Sequence, residues 1–149
     1  MSPSLRERAL RYLAQREHSR SELARKLAGA DEPEAIATEL DRLAELGLLS
    51  DARFAEAYVR AKAGRFGASR LRFELSRRGV DAELIGQALD TECSVSELER
   101  ARALHQRKFA TPPADAREWA RQARFLQGRG FSSEVIRTVL REHPGDEPA

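Results

Sequence analysis

A single cysteine, Cys93, is all the thiol that this chain of 149 residues carries. One thiol cannot form an intramolecular disulfide, and no Cys-x-x-Cys or His-Cys cluster exists to hold zinc, which fits a reducing cytoplasm. Aromatic residues are scarce as well, at 6%, with one Trp and two Tyr. So few large side chains give any one segment only a thin core that leans on its neighbours, and an elongated, mobile shape is expected. The start, Met-Ser-Pro-Ser-Leu-Arg-Glu, lacks the apolar core of a signal peptide. No run approaches the roughly 18 apolar residues of a membrane span, so a soluble protein without membrane contact is expected. Catalytic signatures are missing too. There is no Gly-x-x-x-x-Gly-Lys-Ser/Thr phosphate loop and no nucleophile elbow. His18, His105 and His143 lie in separate segments without a metal-ligand partner one helical turn on, and read as surface or packing residues. The sequence therefore predicts no enzyme, no cofactor and no metal site.

Charge and internal repetition are what the chain does have. Charged residues make up 34%. Arg78-Gly79-Val80-x-x-Glu83-Leu84-Ile85-x-x-Ala88-Leu89 overlies Arg129-Gly130-Phe131-x-x-Glu134-Val135-Ile136-x-x-Val139-Leu140 after a shift of 51 residues. Ser21-x-Leu23-x-x-x-Leu27 overlies Ser69-x-Leu71-x-x-x-Leu75 after a shift of 48. A fixed period of this length marks an array of supersecondary units.

Each unit reads as three helices. The first runs over about Leu5 to Glu17, with Leu10 and Leu13 facing inward. Ser19-x-x-Glu22 is a capping box opening a second helix with Leu23 and Leu27, which ends at Gly29. Pro33 suits the first turn of a third helix that carries Ile36, Leu40 and Leu43 until Gly47. In the next unit Ser50 or Asp51 caps a helix presenting Phe54, Tyr58 and Ala61. Gly64-Arg-Phe-Gly67 breaks the chain, Leu71 and Leu75 face inward, and Gly79 forms a left-handed cap. The third unit opens on a capping box at Ser94-x-x-Glu97, breaks at Pro112-Pro113, and restarts at Asp115 with Glu118. No segment alternates as a strand would, which excludes a winged helix. The expected division is 1–49, 50–92 and 93–142, with a frayed tail over 143–149, in an all-α fold.

Net charge is only +2, but its distribution swings with the repeat. Residues 60–78 carry +6, 79–99 minus six and 100–129 +6. Arg60, Lys62, Arg65, Arg70, Arg72, Arg77 and Arg78 form one basic group, and Arg117, Arg121, Arg124 and Arg129 another. Arg117, Arg121 and Arg124 share a helix face opposite Trp119, Gln122, Ala123 and Leu126. These cations suit a polyanion or an acidic protein groove. Solvated faces are the plain alternative, with Arg77 and Arg78 stabilised near a helix C-terminus. Acidic bands between the basic ones would be repelled by a duplex, so the alternation favours a protein partner of complementary charge, with nucleic acid nearby. Phe66, in the basic connector, reads as packing before base stacking.

The central stretch resembles the RecX family of bacterial recombination regulators. The residues responsible are Leu49-Ser50-Asp51-x-Arg53-Phe54-Ala55-x-x-Tyr58-Val59, Gly67, Leu71, Leu75, Gly79-Val80, Ile85 and Leu89; Ser19-Arg20-Ser21-Glu22-Leu23-x-x-Lys26-Leu27 resembles the family's first module. The resemblance extends from about Leu5 to Glu142. It implies three tandem three-helix modules in an elongated, curved arrangement. It also implies a protein that binds the RecA filament on single-stranded DNA and inhibits its ATP hydrolysis, strand exchange and coprotease action; a monomer is expected. Single- or double-stranded DNA is a second partner class. A helical DNA-binding regulator acting without RecA is the main alternative, and a helical adaptor unrelated to DNA the third.

Overall fold

The computed structural model describes residues 2–93 and 95–141. Among the described residues there are nine helices and no strand: α1 (Leu5–Gln15), α2 (Arg20–Leu27), α3 (Pro33–Glu45), α4 (Asp51–Lys62), α5 (Ala68–Arg77), α6 (Ala82–Glu92), α7 (Glu97–Lys108), α8 (Ala116–Gly128) and α9 (Ser133–Arg141). The all-α reading holds.

Helix starts are set by side-chain oxygens that take up free backbone N–H groups. Ser19 and Glu22 form the expected reciprocal capping box, with both bonds at 3.1 Å. Ser50, not Asp51, caps α4 by accepting from the Arg53 N–H, while Asp51 Oδ1 accepts from the Arg20 N–H at 2.7 Å. Asp115 accepts from the Glu118 N–H at 2.8 Å and opens α8. The expected box at Ser94 does not open α7: Ser94 lies outside the described residues, and the capping hydroxyl is that of Ser96, which accepts from the Glu99 N–H. The expected tail over 143–149 also lies outside the described residues.

The described residues fall into two compact units, one of residues up to 58 together with 74–88, the other of 59–73 together with the residues from 89 onward. Helices α4, α5 and α6 each contribute residues to both. In the first unit Ala9, Leu23, Leu27, Ile36, Leu40, Leu43 and Leu49 form a core, with Leu5, Tyr12 and Leu13 packed against it. In the second, Ala101, Leu104, Leu126, Phe131, Ile136, Val139 and Leu140 do the same. Each buried Leu or Ile contributes about 1.5–3 kcal/mol relative to exposure. Leu10 is not inward as the spacing suggested but 37% exposed, because Ala9 takes the face that meets α2 and α3. On α4 the buried residues are Phe54, Ala55 and Val59, and Ala61 is exposed.

One joint occurs twice. In the first unit the Ser19 hydroxyl, fully buried at the start of α2, donates to the Arg78 carbonyl at 2.7 Å. In the second unit the Gly67 N–H, at the start of α5, donates to the Arg129 carbonyl at 2.7 Å. Positions 19 and 67 are related by the 48-residue shift, and 78 and 129 by the 51-residue shift. The glycines after the two carbonyls, Gly79 and Gly130, have φ of +82° and +91°. A Cβ on Gly79 would collide with the Ser21 side chain, and one on Gly130 with Arg70. These positions thus need glycine both for left-handed backbone and for close approach.

Candidate functional site

The basic connector after α4 is held by the third repeat. Arg100 donates from Nε to the Ala63 carbonyl at 3.0 Å and from Nη2 to the Phe66 carbonyl at 3.4 Å. Arg107 Nη2 donates to the Gly64 carbonyl at 2.7 Å, and Glu97 Oε1 accepts from the Ala68 N–H at 3.4 Å. Carbonyls of the connector past the end of α4 are thereby satisfied by guanidinium groups. Gly67 is buried, and a Cβ there would lie 2.5 Å from the Gly130 oxygen. The connector ends in this close backbone contact.

Two of the basic groups singled out from the sequence meet at that contact. Arg70 Nη1 donates to the Gly128 carbonyl at 3.1 Å, with its guanidinium 4.7 Å from the centre of the Phe66 ring. Gly128 continues the exposed face of α8 that bears Arg117, Arg121 and Arg124, since these positions recur at helical spacing. Gln122 and Leu126 are buried on the opposite face, as expected, but Trp119, assigned to that face, is 36% exposed. The result is a row of four cations, Arg117, Arg121, Arg124 and Arg70, along about 16 Å of helix. Arg121 is tied to Glu118 at 3.1 Å and lies 5.3 Å from the Phe109 ring centre. Among the described residues, Arg117 and Arg124 make no side-chain hydrogen bond or ion pair. Arg129 is placed 5.1 Å from the Phe125 ring centre.

The remaining cations fall into two kinds. Arg60 forms a two-pronged pair with Glu92, at 3.1 and 3.0 Å, and this bond holds the Glu92 carboxyl below the usual carboxylate range. In the first unit Arg78 bonds Glu74 at 2.8 Å and stacks 4.8 Å from the Tyr58 ring centre. Burial opposes its charge, and the Glu74 bond with the Tyr58 and Glu74 charges outweighs that, so its pKa is raised. Arg78 is built into the fold on both sides, since its carbonyl receives Ser19. Lys62, Arg65 and Arg72, by contrast, make no side-chain hydrogen bond or ion pair among the described residues. Arg77 is exposed on the last turn of α5.

Two of the histidines are packing groups. His18 is fully buried, with Nδ1 3.0 Å from the Arg16 carbonyl and Nε2 2.8 Å from Lys26 Nζ. His105 is buried beside Gln122, with Nε2 2.7 Å from Oε1. His143 lies outside the described residues. Among the described residues no group of three or more His, Cys, Asp or Glu could hold a metal, and no helix is long and apolar enough to cross a membrane.

Sequence reasoning passed over Phe73, which is 57% exposed on α5. It lies about 200° around the helix from both Leu71 and Leu75, so the signal was present in the period. It also passed over Arg100 and Arg107, whose partners are backbone carbonyls that no residue pattern reveals.

Family profiles described as the first, second and third three-helix domains of RecX match residues 6–43, 50–89 and 96–140. The chain is 54% identical over 148 residues to the regulatory protein RecX of Leptothrix cholodnii, covering 96% of this chain and 94% of that one. It is 47% identical over 138 residues to the regulatory protein RecX of Herbaspirillum seropedicae, covering 92% and 89%. A crystal structure of RecX from Lactobacillus salivarius matches in fold with a TM-score of 0.77 at 24% identity over 92% of both chains. A second crystal structure, of regulatory protein RecX, matches with a TM-score of 0.77 at 26% identity, over 93% of this chain and 72% of that one.

Proposed function

The chain belongs to the RecX family, and from that premise we propose that it is a non-enzymatic regulator that binds the RecA filament on single-stranded DNA and inhibits its ATPase, strand-exchange and coprotease activities. It acts in this reading as a cytoplasmic monomer. The observation that carries the site assignment is the row formed by Arg117, Arg121, Arg124 and Arg70 in one unit, two of whose members have no side-chain partner of their own among the described residues. Such a row suits carboxylates on a protein surface. Lys62, Arg65, Arg72 and Arg77 are further contact candidates; Arg60, Arg78 and Arg129 contribute charge while bound to this chain's own groups. Modules spanning 1–49, 50–92 and 93–142 would engage a repeating polymer through several weak patches, gaining avidity from matched spacing.

The same cations favour a second reading, a helical regulator that binds DNA without RecA. Salt separates the two. Phosphate contacts give affinity that falls steeply and linearly in log–log form as salt rises. Co-sedimentation with RecA–DNA filaments, beside the same DNA without RecA, tests them. Retention on filaments with no more than nonspecific binding to bare DNA supports the RecA reading; tight, salt-steep binding to bare DNA and no gain with RecA supports the other.

A further inference from the structure

We propose that Phe73 is the apolar anchor of a protein-docking face on α5, and that its partner presents an apolar pocket rimmed by carboxylates. This assignment rests on the reading above, with RecA as the partner, and adds to it the residue and the chemistry of the contact. Phe73 is 57% exposed, while Leu71 and Leu75 of the same helix are fully buried. Phe73 thus stands outside the buried face of its helix. Aromatic side chains and arginine are both enriched at protein interfaces relative to the rest of a protein surface.

The surroundings define the partner's charge. Residues 59–73 carry five basic side chains, Arg60, Lys62, Arg65, Arg70 and Arg72, and no carboxylate. Glu92 pairs with Arg60 and Glu97 with the Ala68 N–H, which leaves Lys62, Arg65 and Arg72 without a carboxylate of this chain among the described residues. Arg72, next to Phe73, is exposed and has no side-chain hydrogen bond or ion pair among the described residues. An apolar ring beside a cation of this kind matches a pocket with an acidic rim: the pocket desolvates the ring, and the rim pairs with Arg72.

A protein groove fits better than a nucleic acid. A side chain projecting from a helix enters a groove as a knob, as helical recognition motifs do. Base stacking instead uses aromatic platforms inside a uniformly positive groove. Here residues 79–99 carry a net charge of minus six, which opposes a polyanion.

The test is the affinity of fluorescently labelled full-length chain for RecA filaments on single-stranded DNA, held with a non-hydrolysable ATP analogue, for wild type, F73A, F73L and R72A. F73A is expected to bind at least tenfold more weakly, by a factor that does not change with salt, and F73L to stay within threefold of wild type. R72A should lose less, and its deficit should shrink as salt rises. Circular dichroism of F73A should match wild type and its urea midpoint should change by no more than an exposed substitution costs, since the side chain is outside the core. F73A binding within twofold of wild type would overturn the anchor while leaving the RecA reading intact. So would an equal loss for bare single-stranded DNA, which would make Phe73 a base-stacking residue. A wild-type chain that binds no filament would remove the RecA reading and this assignment with it.

Discussion

The Ser19 hydroxyl donates to the Arg78 carbonyl at 2.7 Å, and the same hydroxyl accepts the Glu22 N–H at 3.1 Å. A single buried side chain thus caps α2 and ties it to the end of α5. The second unit repeats the tie with the Gly67 N–H in place of a hydroxyl.

Ser19→Ala removes both bonds. The lost cap costs about 0.5–2 kcal/mol and the part-buried carbonyl left without its donor about 1 kcal/mol, so a loss of roughly 2 kcal/mol is expected in urea unfolding. Ser19→Asp distinguishes the two roles. A carboxylate can cap but cannot donate to a carbonyl, so S19D should recover no more than the cap's share and stay less stable than wild type. Full recovery to wild-type stability in S19D would mean that the Arg78 bond contributes nothing.

The left-handed glycines should not respond alike to alanine. Gly29, at φ +85°, has no atom near a built Cβ, whereas Gly79 meets Ser21 and Gly130 meets Arg70. Backbone strain alone predicts a cost of about 1–2 kcal/mol for G29A. Overpacking adds about 1–3 kcal/mol for G79A and G130A. Urea midpoints for the three variants check the order, and equal losses would contradict the two joints.

His18 makes the fold sensitive to mild acid. Burial lowers its pKa below 6.5; the Arg16 carbonyl bond opposes this, but the Arg16 and Lys26 charges add to the lowering. The native ring is held neutral, with Nδ1–H donating to the Arg16 carbonyl and Nε2 accepting from Lys26. The unfolded chain takes up a proton near 6.5 while the folded chain resists until lower pH. The stabilisation is thus complete above 6.5 and is lost as pH falls through the lower native value. Glu22, whose burial is outweighed by its bonds to Arg16 and Ser19, is held below 4.5 and titrates outside this window. Urea midpoints at pH 7.5 and 5.5 should fall for wild type and fall less for H18Q. An equal fall in both would remove His18 as the cause.

The cation row on α8 should matter for binding and not for folding. Arg117→Ala, Arg121→Ala and Arg124→Ala together should weaken filament binding at least tenfold and leave helicity unchanged. The Arg121–Glu118 pair is exposed, so its loss costs no more than about 0.5 kcal/mol. Unchanged binding would exclude this face as a contact.

Much of the fold was legible because its signals are local. Leu23, Leu27, Leu71 and Leu75 recur at helical spacing and are all buried, and Gly79 stands where the 51-residue repeat places Gly130. Errors arose where two neighbouring residues compete for one role. Ala9 displaces Leu10 because a small side chain permits close helix approach, and Val59 is buried where the spacing suggested Ala61. The candidate site was legible as charge and not as geometry. Nothing local to Arg70 indicates that it reaches the Gly128 carbonyl, or local to Arg78 that Glu74 and Tyr58 hold it, because backbone acceptors and ring faces leave no residue pattern.

The central claim is regulation of RecA, and ATP hydrolysis by RecA on single-stranded DNA tests it most directly. This protein would be added at well below one copy per RecA. A falling rate at such ratios is predicted, as expected of action on a polymer. No change in rate up to equimolar protein would contradict the account.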